Sequence, residues 1–176
     1  ATLYLTDGAD IRYTSTTEDS LENGLYCNGG TLKAPTSNND YFFGAFDDAK
    51  VGAKGLTVDS DYTVGIRQTF ANLDNESGKI VFIGSGTKRI LATGWNGYTP
   101  GTSTHSYTVV AGGTLLFETG ADWQTHLVVT NGATASTVGG CTGLTLKGLT
   151  LGDADTVGTL AVDTTDVIVV DGPVSF

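Results

Sequence analysis

Gly55-Leu56-Thr57-Val58-Asp59-Ser60-Asp61-Tyr62-Thr63-Val64 reads as two short strands, Leu56-Thr57-Val58 and Tyr62-Thr63-Val64, broken by a turn at Asp59-Ser60-Asp61. Its opening phrase is a Gly, a Thr within two residues, and apolar residues. That phrase returns as Gly30-Thr31-Leu32, Gly86-Thr87-Lys88, Gly113-Thr114-Leu115, Gly143-Leu144-Thr145-Leu146 and Gly158-Thr159-Leu160. The successive glycines lie 25, 31, 27, 30 and 15 residues apart, a loose period of the size of one solenoid coil. A chain rich in Gly and Thr also makes such phrases by composition alone, so both readings stand.

Strand signals fill the rest of the chain. Ala1-Thr2-Leu3-Tyr4-Leu5-Thr6 alternates and stops at Asp7-Gly8, and Ile11-Arg12-Tyr13-Thr14 follows. Later candidates include Arg89 to Ala92, Tyr107 to Val110, Thr114 to Phe117, Leu127 to Val129, Leu144 to Leu146, Leu149 to Leu151, Thr159 to Val162 and Val167 to Val170. Most are bounded by Gly, Asn or Asp. Lys79-Ile80-Val81-Phe82-Ile83 is nearly continuous in apolar residues and predicts a strand covered on both faces. One stretch, Ser15 to Leu25, is weighed as a short helix against a solvated loop.

Composition agrees. The 176 residues hold 25 Gly, 29 Thr, no Met and only 4 Glu among 19 acids, poor material for helices. Apolar residues at 39% still suffice for a core. Nine Lys and Arg against 19 acids leave a net charge of -10 and no cationic stripe for phosphates, which excludes nucleic acid as a partner. No apolar window approaches the roughly eighteen residues of a spanning helix, so no membrane-spanning helical segment is expected. A chain that opens at Ala1 on a β-like segment without Met reads as a mature chain after leader removal, or as a trimmed piece. The low-lysine, Thr/Gly/Asp-rich surface points to an extracellular or cell-surface setting.

The segments 55–64, Gly78-Lys79-Ile80-Val81-Phe82-Ile83-Gly84-Ser85-Gly86-Thr87 and Ala111-Gly112-Gly113-Thr114-Leu115 resemble rungs of autotransporter passengers and related right-handed parallel β-helix secreted surface proteins. The resemblance runs over about residues 50–172. It implies a secreted or surface-displayed scaffold, all-β, built as a β-solenoid; a β-sandwich or jelly roll is the alternative fold. The whole of 1–176 is expected to form one β-rich domain. Residues 1–50, richer in Tyr, Phe and Asn, are a cap or assembly segment.

Candidate chemistry is sparse. His105 and His126 lie in a loop composition and beside a strand, without a nucleophile motif, and read as surface or boundary residues. Asp59/Asp61 and Asp153/Asp155 could imitate a glycosidase pair, but both sit at apparent turns. Calcium is the better ligand for such loops, with Asp153, Asp155, Asp7 and Asp10 as candidates and no cofactor required. Trp95, Tyr98 and Trp123 could stack on sugar rings or anchor loops over a core edge. Tyr41-Phe42-Phe43-Gly44-Ala45-Phe46 suits burial or a subunit contact through Tyr41, Phe42, Phe43 and Phe46. Cys27 and Cys141 lie 114 positions apart, and in a solenoid no intramolecular bond between them is expected.

The expected function is therefore a non-enzymatic extracellular scaffold. It would assemble with copies of itself as a filament or surface layer, or be displayed as an adhesin-like module. A glycan-binding β-sandwich module is the first alternative, and a polysaccharide-active β-helix enzyme the second.

Overall fold

The computed structural model describes residues 2–4, 11–12, 24–34, 37–44, 46, 48–73, 76–91, 94–96, 105–118 and 120–176. Among them every regular element is a strand. β1 (Thr2–Tyr4), β2 (Ile11–Arg12) and β3 (Gly24–Cys27) make a first coil. β4 (Thr31–Lys33), β5 (Asn39–Gly44) and β6 (Asp48–Val51) make the next, followed by β7 (Leu56–Asp59), β8 (Val64–Arg67) and β9 (Ala71–Asn72). β10 (Lys79–Ile83), β11 (Thr87–Ile90) and β12 (Gly94–Asn96) come next, then β13 (Tyr107–Val110), β14 (Thr114–Phe117) and β15 (Asp122–Gln124). β16 (His126–Val129), β17 (Thr134–Thr137) and β18 (Thr142–Leu146) precede β19 (Gly148–Leu151), β20 (Thr159–Ala161) and β21 (Val167–Val170). β22 (Val174–Ser175) returns to the first face.

Every third strand falls in the same sheet, and all pairings between strands are parallel. One face runs β1-β4-β7-β10-β13-β16-β19-β22 and the second β2-β5-β8-β11-β14-β17-β20. The third face is made of the ladders β3-β6-β9, β12-β15 and β18-β21, the first two joined by a bridge from Phe70 to Trp95. The fold is a parallel β-solenoid. Of the stretch weighed as a helix, 15–23 lies outside the described residues, and Gly24 and Leu25 are strand.

The core follows from register. Strand side chains alternate between faces, so one inward position per coil stacks on the same position of the next, about 4.8 Å away. On the first face Leu56, Ile80, Thr108, Leu127 and Leu149 are successive register partners. Beside them run Leu32, Val58, Phe82, Val110 and Val129, all buried. The second face stacks Ile66, Ile90, Phe117 and Thr137. The run 79–83 differs from its expectation: Ile80 and Phe82 point inward, whereas Val81 and Ile83 face outward and are half-buried. Neighbouring outward residues Thr57 and Val109, not a second layer, shield Val81.

Close coil stacking forces glycine at corners. Gly113 has φ +62°, and a Cβ there would lie 2.3 Å from the Gly86 carbonyl oxygen of the coil beneath. Gly132 has φ +72° but open space around it. Both positions penalise an L side chain through φ; only the first adds a collision. We expect Gly113→Ala to lose about 1–3 kcal/mol more in urea unfolding than Gly132→Ala. Equal losses would contradict the close stacking of corners 84–86 and 111–113.

Candidate functional site

The indoles proposed as a ligand platform are core residues. Trp95 and Trp123 are register partners on β12 and β15 and both are fully buried. Their rings meet edge-on at 5.7 Å and 78°, and Phe70 packs on both. Their polar edges are satisfied inside. Trp123 Nε1 donates to Thr108 Oγ1 at 2.7 Å, which shares a 2.7 Å hydrogen bond with Thr125 Oγ1. Trp95 Nε1 reaches Asn72 Oδ1 at 3.3 Å, and Ser106 donates to the same oxygen while accepting from the Gly78 amide. Neither the sugar platform nor the loop anchor describes the pair: both indoles sit on strands, and the parallel register turns them into the core. Tyr98 lies outside the described residues.

The aromatic cluster 41–46 divides by strand alternation and a local register shift between β5 and β8. Phe42 and Phe43 are buried, and Phe43 packs on Phe46 at 6.0 Å and Phe70 at 5.6 Å. Phe46 is part-buried, its backbone held by the Gln68 amide. Only Tyr41 stands out, 54% exposed, with the Arg67 guanidinium 4.4 Å over its ring.

The carboxylates are largely committed. Asp59 pairs with Lys33, Asp40 and Glu118 both pair with Arg89, and Asp171 pairs with Lys147 at 3.0 Å. Asp153 Oδ1 accepts from the amides of Asp155 and Thr156 and from Thr156 Oγ1. Those donors, the Thr156 hydroxyl first, hold its carboxyl below the usual range. The Asp153-Asp155 pair is thus a turn in which Asp155 contributes its backbone. Asp7 and Asp10 lie outside the described residues, and among the described ones no three His, Cys, Asp or Glu converge as a metal site.

Register brings together one group that sequence spacing hides. On the outer side of the first face, His126 stacks on Tyr107 at 5.3 Å, and its Nε2 lies 2.9 Å from Thr150 Oγ1. Thr150 in turn bonds Ser175 Oγ at 2.9 Å. Burial, and then His105, lower the His126 pKa. Gly148 leaves room for the ring: a Cβ there would lie 2.5 Å from His126 Nδ1, and the imidazole would have to move. These side chains link β16, β19 and β22 from coil to coil on the outer side of the sheet and read as a cross-coil lock. The cue was the separation of 24 residues from His126 to Thr150, about one coil, invisible until the coil length is known.

Both cysteines are free thiols, Cys141 buried and Cys27 half-buried. They stand five ladder steps apart, β3 to β6, β9, β12, β15 and β18, or about 24 Å at the strand spacing. Burial pushes the Cys27 thiol up to about 11, and raises that of Cys141 with help from Asp166. At neutral pH both are therefore expected to resist a thiol reagent in the folded chain and to react together on unfolding. Rapid labelling of Cys141 in the folded state would contradict its placement. Comparison with protein-family models, with curated proteins and with solved structures returned no match.

Proposed function

We propose that the chain is a structural module of an extracellular or cell-surface scaffold, acting through shape and self-association and not through catalysis. The observation that carries this reading is that the side chains suited to chemistry are spent on the fold: Trp95 and Trp123 are fully buried, and Asp59, Asp40, Glu118 and Asp171 are held in ion pairs. Tyr26, Tyr41 and Tyr107 stand exposed on the three faces, and aromatic side chains of this kind are enriched at protein interfaces.

The two rival readings fare less well. The glycan platform read from the sequence would need the faces of Trp95 and Trp123 in solvent, and both indoles are inside. A glycosidase would need two uncommitted carboxyls flanking a groove, whereas the described acids are mostly spent on ion pairs and turns. Calcium remains an arm of the proposal at the Asp-rich turns; a chelator that leaves the thermal midpoint unchanged removes it.

Electron microscopy of the purified chain is the test. Elongated oligomers or filaments that grow with protein concentration are expected. Single particles at every concentration, or saturable capture on a glycan array, would overturn the reading.

A further inference from the structure

Lys88 occupies an inward position of the second face. Its register partners are Val64 below and Leu115 above, followed by Ala135 and Leu160. It is the one charged residue among the fully buried side chains of the described residues. Its stem fills the place that an aliphatic residue fills in the adjoining coils. The ammonium bends back under the β10–β11 corner and donates to the carbonyls of Gly84 at 2.7 Å and Gly86 at 3.0 Å.

The same corner is held from outside. Asp61 Oδ1 accepts from the Ser85 amide at 2.9 Å and from Ser85 Oγ at 3.0 Å. The corner above, Ala111-Gly112-Gly113, carries no charge, and its glycines lie against Gly84 and Gly86. The charged groups facing the ammonium are Asp59 and Asp61, from the coil below, and Lys33, one coil further down.

We propose that Lys88 is a proton-controlled weak point of the solenoid: protonated, it makes the coil built on β10 and β11 open locally more readily than the buried coil of β16 and β17, and losing the proton closes that coil. The physical basis is desolvation. A buried ammonium with two carbonyl partners keeps fewer hydrogen bonds than it has donors, and in an apolar column the charge is unfavourable. In a solenoid each coil contacts only its neighbours, so such a defect stays local and divides the stack.

The sign is fixed by linkage. Burial lowers the Lys88 pKa to about 8 from an ordinary 10.5, against the opposing pull of Asp59 and Asp61 and with a small contribution from Lys33. Between those values the opened coil binds more protons than the closed one, so protection rises with pH. On releasing its proton to solvent the amine still donates to the two glycine carbonyls, and only the charge is lost.

Hydrogen exchange of the full chain, read as protection factors for peptides within 79–91, tests this. The wild-type chain is expected to gain about tenfold in protection between pH 7 and 9, relative to peptides from β16 and β17. Lys88→Met should be as protected at pH 7 as those reference peptides, with no relative gain. Lys88→Arg keeps its charge throughout and should stay weakly protected at pH 9. A flat wild-type profile, or an unchanged profile in Lys88→Met, would overturn the proposal. Should Lys88→Met fail to fold, the ammonium is a required clamp and the proposal falls.

Discussion

Parallel stacking in register is the constraint on which the rest of this molecule depends. Each inward side chain must fit between the same position of the coil below and the coil above, at about 4.8 Å. That demand makes columns of Leu, Ile, Val and Phe, and it admits polar residues only when a neighbour satisfies them. Thr108 shows the rule: it is fully buried between Ile80 and Leu127, and its hydroxyl serves the Trp123 indole and Thr125. Outside, the same register lines up Lys33 with Asp59 and lets Arg89 bind Glu118 one coil above and Asp40 two coils below. These ion pairs are surface features and add little each. Stability rests on the columns.

Inward stacking also disposes of the residues that would otherwise suggest chemistry. Both indoles join Phe43, Phe46 and Phe70 in one aromatic cluster that crosses several coils. Of the aspartates spaced like catalytic pairs, Asp61 and Asp153 stabilise corners by accepting backbone amides, and Asp59 is held by Lys33. Among the described residues the exposed surface is a mixture of Gly, Asp, Thr, Val and the tyrosines Tyr26, Tyr41, Tyr62 and Tyr107. This economy of surface chemistry is what supports the proposed scaffold role.

The fold class was legible from residues, and so was the approximate coil length, but the repeated phrase proved to mark something other than one point per coil. Gly30 and Gly55 precede strands of the first face, Gly86, Gly113 and Gly158 precede strands of the second, and Gly143 lies within the third. The outlying step of 15 residues, from Gly143 to Gly158, is therefore a step between faces. True register partners Leu32, Val58, Phe82, Val110, Val129 and Leu151 follow at 26, 24, 28, 19 and 22 residues. Site residues were harder to read. Nothing in Gly94-Trp95-Asn96 says which way the indole points, because three-residue strands hold too little alternation. Lys88 was hidden for a related reason: in Thr87-Lys88-Arg89-Ile90 the two cations look equivalent, and only pairing with Val64 and Leu115 sends the first inward.

Register is the central claim, and paired cysteines measure it directly. In a chain with Cys27 and Cys141 replaced by Ala, Val109→Cys and Val128→Cys would stand on adjacent strands, both facing outward. Their Cα atoms would be about 4.8 Å apart, within disulfide reach. Mild oxidation should link that pair within each molecule and leave Val109→Cys with Val129→Cys unlinked, because Val129 points into the core. Linkage of the second pair in preference to the first would contradict the register, and with it the arrangement of every column described above.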